Sequence, residues 1–428
     1  MNKVFDQISN FNVERKATNV ECFFLAVVLL SLPISEALKN VGSLCFIISF
    51  IVQSIRLCSF GRNNPFEVPL LGLILVLWVA PLTSEYGGIV VPLSSAHRWT
   101  LIGLLALISS RLGYSAPQIK ILFAAVLVGG VFAVLESFHS WLLNDRTYPE
   151  FRSVGHVNHS SMYALIPLAV GLSFLALHSF SLRILGFVAV ASCLAYVPPA
   201  RSFVGLAAAF WVIVAAASIY AWISYQARVL VAAGIFLTAL VIAFLISPIG
   251  EGFRSEAEHL LSTGELLSGR DKIFNSAVEV WDRNPIFGTG LRSFGIATAE
   301  NVVRAEVEAD GRNYEALKSN YWFYGHGHNL WMTILIERGL FGIFMLAWLL
   351  ISYFRTFVPL AVRRNNVVTP LERSAAVSAS LVALGFFISG LGNTTMINEH
   401  GMAGMAVIAI SWGFLRENGS FDQTNKNI

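Results

Sequence analysis

Charge is what this chain has least of. Only 13 % of its 428 residues are Asp, Glu, Lys or Arg, where a soluble domain carries roughly a quarter. Hydrophobic residues take 55 %, so most of the chain is solvated by lipid rather than water. Cysteine is scarce too. Cys22, Cys45 and Cys193 fall within apolar runs and Cys58 closes one, which leaves no pair placed for an external disulfide and makes packing the simplest role for all four. The first twenty residues are polar and lack a short apolar core followed by a small-residue cleavage site. No cleavable leader is expected, and the first apolar run is retained. The basic excess is a net +3 scattered over separate segments, which argues against a nucleic-acid partner.

What the chain has is apolar runs long enough to cross ~30 Å of hydrocarbon, which takes about 20 helical residues each. Twelve are expected, near 20–38, 41–57, 68–84, 99–113, 119–140, 161–180, 183–199, 203–223, 228–247, 329–353, 373–393 and 400–416. The expected fold class is therefore an all-α polytopic membrane protein of about 12 transmembrane helices with one large periplasmic loop containing short helices. The corresponding division is a bundle of about nine helices over 1–247, the loop over 248–327, and a bundle of about three helices with a short cytoplasmic tail over 328–428. Lys and Arg near helix ends set the orientation. With the N-terminus inside, inside segments hold fifteen of them and short outside loops five: Lys39, Arg98, Arg146, Arg152 and Arg201. Both termini are thus expected in the cytoplasm and the loop outside.

The loop breaks the apolar pattern with twelve acidic and eight basic residues. Ser268-Gly-Arg-Asp271 resembles a capping box, and Ile273, Phe274, Ala277, Val278 and Trp281 follow at helical spacing, predicting one apolar face. Pro285 ends that helix. Gly288, Gly290 and Gly295 then form a glycine-rich turn. It follows a helix rather than a strand and lacks the dinucleotide fingerprint, so a sharp turn beside a bilayer is the better reading. Glu306, Glu308 and Asp310 have a spacing that suits a solvated loop better than a divalent metal.

The loop ends at Gly325-His326-Gly327-His328-Asn329, directly before the apolar run that opens Leu330-Trp331-Met332. Inside that run lie Glu337 and Arg338. A charge within a bilayer costs ~2.5–3.5 kcal/mol on insertion scales and so pairs or lines a polar cavity. At ~3.6 residues per turn, Arg338 lies nearly three turns from His328 and only slightly rotated from it, so a polar stripe runs inward.

Three stretches together resemble the O-antigen ligase and O-antigen polymerase superfamily. They are His328-Asn329 followed after nine residues by Gly339-Leu-Phe-Gly342, Arg270 through Trp281 to Asn284-Pro-Ile-Phe-Gly-Thr-Gly290, and Pro199-Ala-Arg201-Ser-Phe-Val-Gly205. The form of the histidine motif is that associated with the ligases, whereas Ala200-Arg201-Ser202 departs from the commoner Ser-Arg order. The resemblance implies a bacterial inner-membrane inverting glycosyltransferase. It would move a glycan from undecaprenyl diphosphate to a hydroxyl acceptor, a lipid A core sugar or another glycan, with membrane lipids around it and neither metal nor cofactor. Ligation of O-antigen to lipid A core sugar is the leading expectation; O-antigen or exopolysaccharide polymerisation is the alternative, and a transporter or flippase a third.

The residues suit that chemistry. A diphosphate leaving group gathers negative charge that guanidinium forks stabilise, which nominates Arg270 and Arg201, with Arg292 and Arg312 as further positive charge. The acceptor hydroxyl loses a proton to a base, and a neutral imidazole suits that role. His328 is preferred, with His326 as its partner or replacement and Asn329, Glu337 and Arg338 in support. No Asp-x-Asp pair is present, in keeping with a metal-free reaction. Arg152, His156 and His159 read as the lip of an acceptor cavity or a plain polar loop, and Glu36, Glu136 and His139 as hydrated helix ends.

Overall fold

The computed structural model describes residues 15–61, 64–83, 90–144, 147–177, 179–226, 270–292, 296–323, 327–364, 368–396 and 398–421, with scattered positions between 228 and 262. The chain opens on β1 (Arg15–Lys16) and runs through α1 (Asn19–Ser31), α2 (Glu36–Leu57), α3 (Glu67–Thr83) and α4 (Val90–Arg111) to β2 (Leu112–Gly113). Then come α5 (Ala116–Leu143), α6 (Val157–Phe174), α7 (Phe180–Tyr196) and α8 (Phe203–Ser224). Beyond the scattered positions lie α9 (Arg270–Asp282), α10 (Ile296–Ala309) and α11 (Tyr314–Leu317), followed by α12 (Leu330–Ala361), α13 (Pro370–Gly392) and α14 (Asn398–Glu417). Five of these, α2, α5, α8, α12 and α13, are long and apolar enough to cross a membrane, and α1, α3 and α7 are apolar but shorter.

The fold is an inside-out distribution of apolar surface. On α2, Val41, Leu44, Ile48, Ile51 and Ile55 all point outward, a continuous stripe that water would not tolerate and lipid does. Phe132 and Leu135 of α5 and Phe180, Ile184 and Phe187 of α7 do the same. Helices α6, α13 and α14 are buried along most of their length and form the centre. Glycine lets neighbours close there: a Cβ at Gly130 of α5 would stand 2.7 Å from the Pro167 ring of α6.

Several boundaries depart from the sequence expectation. The run at 20–38 is two helices, because Pro33 cannot donate to a continuing helix and the Ser35 hydroxyl caps a new one by accepting the Leu38 N–H. Helix α4 begins at Val90, nine residues early. The run at 329–353 extends to Ala361 but is broken at Gly339, whose φ of 61° and ψ of −164° are not helical. The run at 228–247 falls largely outside the described residues. Among the described residues two short strands stand beside the helices: Arg15–Lys16 pairs in parallel with Leu112–Gly113.

Polar contacts gather the helix ends into two sets. At one end, buried Arg15 binds Glu21 and donates to Ser54 Oγ at 2.8 Å, and Arg111 pairs with Glu67. Arg416 donates to the carbonyls of Ser110 and Arg111 at 3.3 and 3.0 Å, and Lys16 meets Glu417 at 2.8 Å. At the other end, Lys39 of α2 binds Glu399 of α14, Tyr196 donates to the Pro149 carbonyl at 2.9 Å, and Asn329 donates to the Leu391 carbonyl at 2.7 Å. Successive helices in these contacts run in alternating directions, as an up-and-down bundle requires.

Candidate active site

Three segments build the second end. Ser202 caps α8 by accepting the Gly205 N–H at 3.1 Å, and Asn329 caps α12 by accepting the Met332 N–H at 3.1 Å. The residue before each cap is a candidate from the sequence. Arg201 and His328 both have a φ of 49°, left-handed backbone that non-glycine residues adopt at a cost of ~1–3 kcal/mol and that clusters at functional sites. The same device therefore presents a guanidinium and an imidazole at two helix N-termini, where unpaired N–H groups favour an anion. Both flank the turn after α13. Asn329 holds the Leu391 carbonyl, and a Cβ at Gly392 would press on Val204, three residues beyond Arg201. Below the His328 turn, the Gly327 N–H donates to Thr333 Oγ1 at 3.1 Å and that hydroxyl meets Thr394 Oγ1 at 2.9 Å. Across from them, the Arg201 guanidinium lies 5.7 Å from the Tyr148 ring centre.

The loop motif and the histidine motif are one piece of structure. A continuous helix would pair Leu340 N–H with the Ile336 carbonyl and Phe341 N–H with that of Glu337; the break at Gly339 opens both. Each freed group is taken up by 285–290. Thr289 N–H donates to the Ile336 carbonyl at 2.8 Å and Gly290 N–H to that of Glu337 at 3.0 Å. Leu340 and Phe341 donate to the carbonyls of Pro285 and Ile286 at 2.8 and 3.0 Å. Glycine is required on both sides of this seam. Gly288 has a φ of 73°, and a Cβ on Gly288 or Gly339 would run into the opposing backbone. The Arg292 N–H completes the junction by donating to Glu337 Oε1 at 3.0 Å, with Arg292 itself at a φ of 58°.

The intramembrane charges are buried, Glu337 being 4 % and Arg338 0 % exposed. The Arg338 guanidinium lies 3.8 Å from the Trp99 ring centre, a cation–π contact worth about 2 kcal/mol when desolvated. Its nitrogens have no hydrogen-bond partner among the described residues. The expected polar stripe is thus turned into the bundle, and Glu337 serves as an acceptor for the loop backbone.

Arg270 opens α9, half-buried. One turn on, Ile273, then Ala277 and Val280, pack against Ile336 and Met332 of α12, so the helix bearing Arg270 lies on the helix that His328 precedes. The buried face of α9 is rotated from expectation: Ser276 and Val280 point inward and Val278 outward, while Trp281 Nε1 donates to the Pro285 carbonyl at 3.1 Å. Arg312 is committed elsewhere. Its two terminal nitrogens meet both oxygens of Glu279 and one of Asp310, and those hydrogen bonds hold it further into its protonated form. Glu306 and Glu308 belong to helix α10, where Glu306 pairs with Arg283, and of the three only Asp310 lies in an exposed turn. His326, Ser268 and Gly295 lie outside the described residues.

A cluster that sequence reasoning missed sits at the same end. Lys39 and Glu399, 5 % and 6 % exposed, pair across 360 residues, and Glu36 adds a contact of 3.2 Å to Lys39. The adjacent His400 ring stacks on His159 at 5.3 Å, and His156 lies 6.1 Å from His159 while capping α6. His159 therefore bridges α6 to α14, His156 stands exposed at the cap of α6 beside it, and Lys39 is no loop residue. The sequence sets Lys39, Glu36, His156 and His159 singly at the outer end, but nothing in it pairs them with Glu399 and His400 at the edge of the last apolar run.

Residues 201–347 match the model of the O-antigen ligase family. The match begins at Arg201 and takes in α9, the glycine seam, His328 and the break in α12. Over this stretch the chain is similar to O-antigen ligases, in agreement with the three motifs. No curated protein matches the chain.

Proposed function

We propose that this protein is an inner-membrane inverting glycosyltransferase that ligates O-antigen, carried on undecaprenyl diphosphate, to a sugar of lipid A core. The observation that carries the proposal is the paired presentation of Arg201 and His328 at two helix N-termini on either side of one turn, inside the stretch that matches the family. In this reading the acceptor oxygen attacks the anomeric carbon and its proton passes to the His328 imidazole. The anomeric carbon–oxygen bond breaks on the opposite face, and its electron pair leaves on the diphosphate. Arg201, Arg270 and the helix N-termini stabilise that charge with no need of a metal. Arg292 adds positive charge at the seam and Asn329 fixes the turn that carries His328. The remaining histidine of the motif, His326, is the alternative base.

The topology proposed with it has about twelve spans, both termini in the cytoplasm and residues 248–327 in the periplasm between bundles 1–247 and 328–428. It is supported by the gathering of Arg15, Lys16, Arg111 and Arg416 at the end opposite the site. Liposomes holding the purified protein, a lipid-linked glycan and lipid A core provide the test. Transfer without ATP supports the proposal, and translocation alone would mean a transporter. Deletion in cells separates the two enzymatic readings: accumulated long lipid-linked chains mean ligase, single-repeat chains mean polymerase.

A further inference from the structure

Trp322 is 39 % exposed, and its direction is set by register. Tyr321 is extended, with a φ of −123° and ψ of 131°, so alternate side chains point to opposite faces. Tyr321 is buried, stacked on Tyr314 at 6.2 Å and bonded to Glu279 through its hydroxyl at 3.1 Å. Phe323 packs on the same small core. Trp322, between them, is turned outward.

Its place is fixed just as firmly. The Trp322 N–H donates to the Lys272 carbonyl at 3.2 Å, and Asn275 donates to the Asn320 carbonyl at 3.2 Å, so the segment is tied along α9. The Lys272 ammonium lies 5.0 Å from the indole centre, which holds the ring by a cation–π contact and sets a hydrogen-bond donor beside it. Lys272 is two residues from Arg270, and His328 is six residues beyond Trp322, a reach of at most ~20 Å. An outward aromatic face beside an ammonium is thus fastened to the helix that Arg270 opens, within that reach of His328, where a sugar ring of the proposed donor or acceptor would come within contact. An aromatic anchor in the membrane interface would be a side chain of the span; this one is fastened to the extramembrane core.

We infer that Trp322 is a stacking platform for a pyranose ring of the glycan, with Lys272 donating to a hydroxyl or carboxylate on that ring. The inference rests on the glycosyltransferase reading and names a specificity residue for it. The C–H face of a pyranose lies flat on an indole, and the polar edge meets the ammonium.

Steady-state transfer by wild type, Trp322→Ala and Trp322→Phe, varying lipid-linked donor and lipid A core acceptor in turn, tests it. Alanine is expected to raise one KM about tenfold with kcat within about twofold, and phenylalanine to recover most of the loss. The substrate whose KM rises identifies the sugar as donor or acceptor. Unchanged KM for both, or a fall in kcat alone, overturns the inference while leaving the reaction standing. If wild type forms no product, the reaction fails instead. The platform is then judged by titrating wild type and Trp322→Ala with delipidated glycan from the donor and, separately, core oligosaccharide released from lipopolysaccharide. Binding of either that weakens about tenfold in the variant supports it, and equal or absent binding of both overturns it.

Discussion

Gly339→Ala should undock the loop from the membrane helix. Gly339 has a φ of 61° and ψ of −164°, a region that only glycine occupies freely, at ~1–3 kcal/mol for another residue. Its added Cβ would also run into the Ile286 carbonyl. The strain is relieved if α12 straightens, since Leu340 and Phe341 can then pair with the carbonyls of Ile336 and Glu337. Those are the carbonyls that Thr289 and Gly290 now hold, so straightening strips the turn of its partners at ~0.5–1.5 kcal/mol for each bond lost. Those bonds hold the docked state and the strain works against them: the strain alone shifts the balance toward the undocked state by about 1–3 kcal/mol, which lowers the docked-to-undocked ratio about fivefold or more. Hydrogen exchange over 283–292 reads this directly. The Thr289 and Gly290 amides should lose protection in Gly339→Ala, and transfer should fall with them. Gly311→Ala is the control, because Gly311 has a φ of 73° but open space around its added Cβ. It bears the backbone strain without touching the seam. Wild-type protection in Gly339→Ala, or equal loss in the control, would refute the argument.

Three other outcomes are expected. Lys39→Met leaves Glu399 buried without its partner and should destabilise the protein in detergent by about 3–5 kcal/mol; adding Glu399→Gln should restore most of the lost thermal stability, and additive losses would show that the pair is not coupled. His328→Asn keeps a residue that tolerates left-handed backbone while removing the imidazole, so turnover should drop ~10²–10⁴-fold with donor binding retained; near-wild-type turnover removes His328 from the reaction. Arg270→Ala should weaken donor binding in a flotation assay, and Arg270→Lys should rescue poorly because an ammonium cannot form the guanidinium fork; full rescue would point to bulk charge alone.

The glycine seam shows where legibility stopped. The residues of both motifs were visible, and the sharp turn at Gly288 and Gly290 was foreseen from glycine's freedom at positive φ. That the turn exists to fill a break in another helix was not, because hydropathy reads 329–353 as one uninterrupted run. Backbone pairing across 47 residues leaves no trace in side-chain periodicity. The rotated face of α9 has a similar cause. Its apolar residues fit two overlapping stripes, and the contact with Ile336 of α12 selects one.

By itself the sequence determined the medium and the chemistry on offer. Scarce charge and long apolar runs fix a helical membrane protein, since in lipid every backbone group must be satisfied internally, and the resemblance of three stretches to the O-antigen ligase and polymerase superfamily nominated Arg201, Arg270 and His328. Tertiary structure decided the rest. It set Arg201 and His328 in left-handed backbone before two helix caps, turned Glu337 into an acceptor for the loop, and paired Lys39 with Glu399. These are interactions between segments far apart in the chain, and their energy depends on distance and burial that only the folded bundle supplies.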